Sequence, residues 1–405
     1  MPSFTARPTL LLLLLLLLLL IVVYATALSP VADVGVIGAG PAGLALAHSL
    51  RNEGHTVRIF ERRDSFRPVG AAVFLHPFAL NSLRKVSPQL EQQLLQVSTQ
   101  IHTLSFRTLA SGSEGFSFAL RNLQDAKQVF GAPFVAVRFW DMLKALKSGL
   151  SDEVFSFGHQ LERYEPREGG GVTLHFQGKE SCDVRYLVDA GGIRSRTREQ
   201  LLGKADERIP RLRATFAVVD GDSLETALER ERDDERAAAT GELAFLAGDN
   251  LSVVTMGLDD GGAFWSQTDL GADPFDPIAA TNEELQEKLR TGFASFPSGV
   301  KALVAATNFE DAIETTVCEL PVTWTWGQDD VTLLGDAAHA QLPALGLGVS
   351  TAFGDVEEIT EQIRRRGLSR DTLRKYESKR KISCAALQLM SRGMYYLNGV
   401  SANQN

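Results

Sequence analysis

Cysteine is scarce, with three residues (Cys182, Cys318 and Cys384) in a chain of 405. So few, without metal-ligand spacing, exclude a disulfide framework and a zinc module, and no metal is expected. Positive charge is also short: 41 Lys+Arg stand against 50 Asp+Glu, a net charge of −9. A field of that sign disfavours approach to phosphate backbones, so nucleic acid is not an expected partner. Beyond the first thirty residues there is no internal repeat and no low-complexity linker. What remains is 44% apolar and 22% charged, the balance of a globular chain. At roughly 150 residues per domain, the length suits two or three domains or one interleaved unit.

The N-terminus has another composition. Leu10 to Leu20 is an unbroken run of leucine, extended by Ile21, Val22 and Val23, with Arg7 before it and Ala25-Thr26-Ala27 after it. A charged start, an apolar stretch and an A-x-A site describe a secretory signal peptide, with cleavage after Ala27. The alternative is a signal anchor, because Leu10 to Leu28 carries no charge and is long enough to span a bilayer. The expected location is therefore the secretory pathway, with membrane contact through this segment as the alternative. Asn250-Leu251-Ser252 then becomes a possible glycosylation acceptor.

Val31 to Ile37 reads as a short strand running into Gly38-Ala39-Gly40-Pro41-Ala42-Gly43. Leu44 to Leu50 has helical spacing, Gly54 stops it, and Thr56 to Phe60 is a second strand. Strand, glycine turn, helix and strand make a βαβ unit, hence a parallel sheet. Val184–Val188 and Val331–Leu334 read as further parallel strands, while Asp355–Arg366 and Thr372–Met394 read as closing helices. Ile101–Leu120 and Leu212–Leu270 alternate and are rich in β-branched and aromatic residues, which suggests an inserted antiparallel sheet. The charge-dense run Glu225–Arg236 reads as a solvated helix or loop.

In the glycine turn each position has a physical task. Gly38 permits the tight turn, Gly40 lets backbone approach a pyrophosphate, and Gly43 lets helix and strand pack closely. The helix N-terminus adds about half a positive charge toward the phosphates. Ala42 lies inside the same turn. Glu61 ends the second strand, 18 residues after Gly43, where a carboxylate accepts hydrogen bonds from a ribose, with Arg62 next to it. That carboxylate would repel a 2′-phosphate, so the turn fits FAD or NAD. A second site follows the strand at Leu333: Gly335-Asp336-Ala337-Ala338-His339, then Pro343-Ala344-Leu345-Gly346-Leu347-Gly348. An acid at a strand end can hold ribityl hydroxyls, and glycines let backbone N–H groups approach a ring carbonyl. A long, extended dinucleotide such as FAD needs both sites.

The stretch Gly335 to Asp355 resembles the GDAAH…P…GxG…A…D signature of class A flavoprotein monooxygenases of the para-hydroxybenzoate hydroxylase type. Gly70 to Leu75, Arg138, Ala190 to Arg198 (against ADGxxSxxR) and Tyr376 to Arg380 (against YExxR) resemble further family segments, in order, over about residues 33–392. The resemblance implies an α/β fold: a Rossmann-type FAD-binding domain, an interleaved, mainly antiparallel β-sheet substrate domain and C-terminal helices. The boundaries are 1–27 for the leader; 28–100, 121–205 and 321–395 for the FAD-binding domain; 101–120 and 206–320 for the substrate domain; and 396–405 for the tail. It implies that Gly38, Gly40, Ala42, Gly43, Glu61, Arg62, Arg138, Asp336, Gly346, Leu347 and Gly348 hold FAD, and that Pro343 faces the flavin. It further implies NADPH or NADH as electron donor, oxygen, and a small to medium organic substrate that is hydroxylated or epoxidised.

Two departures from the family stand out. Its ADG aspartate, associated with pyrophosphate and nicotinamide handling, is Gly191 here, and Asp189 stands two positions earlier. Leu347 and Ser350 replace the usual Gln and Asn. Alternative readings are therefore a flavin oxidoreductase that does not use NAD(P)H directly, and a catalytically silent FAD-binding protein. No catalytic base is recognisable, and the expected substrate pocket lies between the flavin and the sheet carrying Phe216, Phe264 and Trp265.

Overall fold

The structure is a computed structural model that describes residues 31–68, 70–108, 117–231, 239–248 and 251–397. The leader, Asn250 of the glycosylation triplet, the end of the charged run and the last eight residues lie outside them.

Among the described residues, three sheets carry the chain. The first has eight strands. Its spine runs β17 (Gly327–Gln328), β18 (Val331–Leu333), β11 (Cys182–Asp189), β1 (Ala32–Ile37), β2 (Val57–Glu61) and β8 (Phe155–Phe157). All pairs from β18 to β8 are parallel, which the βαβ pattern requires. The hairpin β9 (Leu161–Pro166) and β10 (Val172–Phe176) attaches antiparallel to β11. Val34, Val36 and Ile59 are fully buried, because helices cover both sides of a parallel sheet. The helix Pro41–Asn52 and the helix Gly348–Arg366 pack together on it, with Leu44, Leu46, Leu50, Phe353, Val356 and Ile359 inside one core.

The second sheet has seven strands in the order β16 (Ile313–Glu319), β12 (Ile209–Val219), β15 (Ala263–Asp269), β14 (Leu251–Gly257), β13 (Glu242–Gly248), β5 (Thr103–Thr108) and β6 (Ser117–Leu120). Only the β13–β5 pair is parallel, since β5 enters from a distant part of the chain. One face packs on the helices Gly221–Glu231, Asn282–Gly292 and Ser298–Ala305 through Ala217, Val219, Leu246, Val253 and Trp265. The first of these helices carries the described part of the charged run, Glu225 to Glu231. It is amphipathic rather than solvated all round, since Leu224, Ala227 and Leu228 are buried in that core.

A small third sheet, β3 (Ala72–Leu75), β7 (Val135–Arg138) and β4 (Ser98–Gln100), lies where the other two meet. Its Ala72 and Ala136 share a core with Leu243, Met256 and Phe264 of the seven-stranded sheet. The long helix Arg370–Leu397 closes the molecule, donating from Gln388 to the Leu320 and Ala340 carbonyls. Among the described residues, no helix is long and apolar enough to cross a membrane.

Candidate active site

The glycine turn is built by exclusion of volume. Gly38 has φ +96°, and a Cβ there would lie 2.7 Å from the Ala190 carbonyl oxygen. A Cβ on Gly43 would lie 2.0 Å from the Gly38 carbonyl oxygen, an impossible contact. Gly40 differs, because a Cβ there would meet nothing within 4 Å. It faces open space, which is where a close-lying phosphate needs the backbone bare. The helix that follows has Pro41 in its first turn, no acidic residue there and no side-chain cap, so its leading N–H groups are free for an anion.

Glu61 sits at the end of β2 with one oxygen accepting from Ala39 N at 2.9 Å and the other from Arg63 N at 3.0 Å. These bonds tie the carboxylate to the turn. Two cavities of about 350 Å³ each meet there and share Gly38, Glu61, Arg62 and Gly191 as walls. One extends past His159 toward Arg194 and Arg208. The other runs along Gly40, Pro41 and Ala42 to Asp336, Gly348 and Phe139. Glycine turn and C-terminal motif, about 300 residues apart in sequence, thus line one cavity.

Asp336 opens the short helix Asp336–His339 and faces that cavity, so it is solvent-accessible yet surrounded by protein. This desolvation raises its carboxyl above the ordinary value; nearby His339 opposes the rise and Asp355 adds to it. Gly335, at φ +62°, donates its N–H to Asp355 Oδ2 at 3.0 Å. The same oxygen lies 2.6 Å from His339 Nε2, and Arg380 Nε donates to Asp355 Oδ1 at 2.7 Å. Burial works against charge on His339, but Asp355 and Cys384 outweigh it and hold the imidazole well above its usual value. Asp355 is likewise lowered, because His339 and Arg380 overcome its burial. His339, Asp355 and Cys384 offer atoms within 4.8 Å of one another. With Arg380, Gly335 and His339 already on Asp355, the cluster is an ion-pair network that fixes the Gly335–Asp336 turn.

Arg198 braces the same helix from the other side. It is buried and donates to the carbonyls of Ala338 at 2.9 Å and Pro321 at 3.1 Å. Next to it, Asp189 is fully buried and accepts from Gly191 N at 2.6 Å and Ser195 Oγ at 2.9 Å. Burial raises its carboxyl, with Thr197, Gly191 and Ser195 partly offsetting the rise. A Cβ on Gly191 would lie 2.8 Å from Asp189 Oδ1. The carboxylate at 189 therefore fills space that a side chain at 191 would need, so the two departures in this stretch are coupled.

The remaining site residues divide. Pro343 lies in a short 3-10 turn, Gly346 has φ +62° and packs against Phe74, and a Cβ on Gly348 would lie 3.9 Å from Asp336 Oδ1. Leu347 is buried, and the stretch Pro343–Gly348 opens a helix that runs without a break from Gly348 through Asp355 to Arg366. Ser350 Oγ accepts from His76 N at 3.4 Å. Arg138, at the end of β7, is paired with Asp260 Oδ2 at 2.6 Å in the turn between β14 and β15. Phe216 and Phe264 lie on the sheet face turned toward β3 and β7. Trp265 does not: period-two alternation puts it on the helix-covered face, where its Nε1 donates to Thr307 Oγ1 at 2.9 Å. Phe74, from the segment Gly70–Leu75 that the resemblance sets beside the flavin, stands beside Gly346 in a ring cluster with His76 and Phe134, two residues that the sequence did not single out; Phe74 and Phe134 are stacked at 5.6 Å.

These residues fit FAD: a bare-backbone turn at a helix N-terminus, a strand-end carboxylate and a cavity-facing acid lie on one continuous wall. Comparison with known proteins agrees. Residues 31–257, more than half of the chain, match the model of the FAD binding domain family. The chain is 28% identical to 3-amino-4-hydroxybenzoate 2-monooxygenase of Streptomyces cremeus, covering 86% of this chain and 82% of that one. It is 26% identical to 6-hydroxynicotinate 3-monooxygenase of Pseudomonas fluorescens over 80% of each. Among solved structures, Klebsiella pneumoniae HpxO complexed with FAD and uric acid superposes with a TM-score of 0.77 at 20% identity, covering 91% of this chain and 89% of that one. With family model, relatives and fold in agreement, the chain belongs to the FAD-dependent class A monooxygenases of the para-hydroxybenzoate hydroxylase type.

Proposed function

We propose that the protein binds FAD along the wall from Gly40 to Asp336 and hydroxylates or epoxidises a small aromatic compound held between the flavin and the seven-stranded sheet. The observation that carries the site assignment is the single cavity bounded by Gly40, Ala42, Asp336 and Gly348. When bound, FAD supplies the redox chemistry with oxygen. This chain's residues position it. The turn from Gly38 to Gly43 would receive the pyrophosphate, Glu61 the adenosine ribose and Asp336 the ribityl chain. Backbone N–H groups at Leu347 and Gly348 would meet the ring, with Pro343 at its face, because the Gly346 N–H is donated to the Pro343 carbonyl at 3.0 Å; the sheet and Phe74 would exclude water. The relatives' named substrates, a hydroxybenzoate and a hydroxynicotinate, support a small aromatic ring compound.

The electron donor is NADPH or NADH in this reading. Asp189 beside Gly191 favours a second one, in which flavin reduction comes from another donor. Anaerobic mixing of the FAD-loaded protein with NADPH or NADH, followed by flavin absorbance, decides between them. Rapid bleaching supports the first reading and persistent yellow protein the second. In the second case Gly191→Asp alone fails, because its Cβ meets the Asp189 carboxylate, whereas the exchange Asp189→Gly with Gly191→Asp restores reduction. Residues 10–28 direct the chain into the secretory pathway on the strength of their composition. N-terminal sequencing of the protein from its cells tests this: Leu28 as first residue supports cleavage, and Met1 on a membrane-bound protein supports the anchor.

A further inference from the structure

The seven-stranded sheet keeps its charges on one side. Arg213 lies opposite Asp269 and Thr316, and Glu314 lies opposite Thr215, all on the face covered by helices. Glu242 accepts from Ser105 Oγ across β13 and β5 on that same face. The other face has a different chemistry. Phe216 lies between Ser266 and Ile313, Phe264 between Val218 and Met256, and Phe245 between Val254 and Phe106. Between Leu212 and the sheet's far edge, no described residue on this face is ionisable. Its polar groups are hydroxyls, among them Ser252, Ser266, Thr268 and Thr315.

This neutral face looks toward the flavin-side rings, because Ala72 and Ala136 share its core and Phe74 packs at Gly346. His76 is the single ionisable member of that cluster, with its ring 4.8 Å from Phe74 and 5.6 Å from Phe78. One imidazole can exchange a hydrogen bond with a hydroxyl, but it is not the two-pronged fork that holds a carboxylate. Arg138, at the end of β7, is already paired with Asp260 of the β14–β15 turn.

We infer that the substrate is an uncharged, flat, mostly apolar ring compound that carries a hydroxyl or similar neutral polar group and no carboxylate. The inference rests on the monooxygenase reading above and names its substrate class. A carboxylate drawn out of water onto this face finds no cation, and its desolvation is not recovered. A neutral ring keeps the full gain of burying its faces against the partly buried Phe216 and Phe74.

The test compares two probes on the FAD-loaded protein: 2-naphthol and 3-hydroxy-2-naphthoate, the same ring system with and without a carboxylate. Binding is read as perturbation of the flavin absorbance, which needs no electron donor. The expected result is that 2-naphthol binds on the order of 100-fold more tightly. Equal or tighter binding of the acid overturns the inference, and acid-stimulated NADPH oxidation would then leave the monooxygenase reading standing. FAD retained with neither probe perturbing it also overturns the inference. Failure to retain FAD overturns the site reading beneath it. Ser266→Arg places a cation on this face and is expected to raise affinity for the acid about tenfold. An FAD-retaining Ser266→Arg protein with unchanged preference overturns the inference; if that variant loses FAD, Thr268→Lys gives the same reading.

Discussion

The two ends of the cavity reach similar backbone geometry by different means. At the first turn, Gly38 and Gly43 are held by space: any side chain there collides with backbone 2.7 Å or 2.0 Å away. At the second, Gly335 and Asp336 are held by charge, through Asp355 bridging the Gly335 N–H, His339 and Arg380. A steric turn is rigid at every pH and needs no partner beyond its own strand and helix. An electrostatic turn depends on three elements arriving together and on the protonation state of a buried imidazole. One cofactor wall is thus rigid at its phosphate end and titratable at its ribityl end.

Asp355→Asn is the strongest way to break this comparison. It keeps the shape of the side chain and leaves His339 and Arg380 facing each other without an anion. Loss of one partner in a buried pair costs about 3–5 kcal/mol, read as the denaturation midpoint, and FAD affinity should fall with it. A midpoint within experimental error of the parent would show that the second turn does not depend on charge. Gly43→Ala attacks the steric end. Helix and strand must separate to admit the methyl group, so roughly 3 kcal/mol of stability is lost, with little change in pH dependence. An unchanged melting temperature would show that the helix start relaxes freely.

These contrasts also show what sequence can reveal. Glycine spacing, Glu61 at the end of β2 and the parallel strands were legible because steric rules act between near neighbours. Trp265 was not, since alternation defines two faces without saying which meets the cofactor. The helix opening at Gly348 was legible from the glycines after Pro343, although Gly348 and β-branched Val349 and Thr351 are poor helix formers, so its continuity through to Asp355 rests on packing beneath the cavity. The Asp355 network escaped because His339 lies 16 residues before it and Arg380 lies 25 after it, on separate helices. Likewise the link between Asp189 and Gly191 needs the side-chain direction, which residue order does not give.

The pH dependence of the second turn follows in sign from its imidazole. The folded-state value of His339 lies well above the ordinary 6.5, so its stabilising effect is fully present below about 6.5. It is lost as pH rises through the raised value, at up to about 1.4 kcal/mol per pH unit. Stability of the parent protein should therefore decline on the alkaline side. His339→Gln should be less stable at neutral pH and should lack that alkaline component. Parallel pH profiles for the two proteins would place the titration elsewhere.

Gly40→Ala makes the smallest structural demand and the finest distinction. Its new methyl group meets nothing within 4 Å, and helix and strand keep their contact. Stability without cofactor should stay within about 0.5 kcal/mol of the parent. The methyl group does, however, occupy the space beside the free N–H groups that follow Pro41, where a pyrophosphate must come close. FAD affinity, measured by fluorescence on titrating the apoprotein, should then fall about tenfold. Stability and binding thus separate at Gly40 and move together at Gly43, three residues along the same turn. If Gly40→Ala bound FAD as the parent does, the phosphates would not lie against this backbone, and the steric end of the wall would serve packing alone.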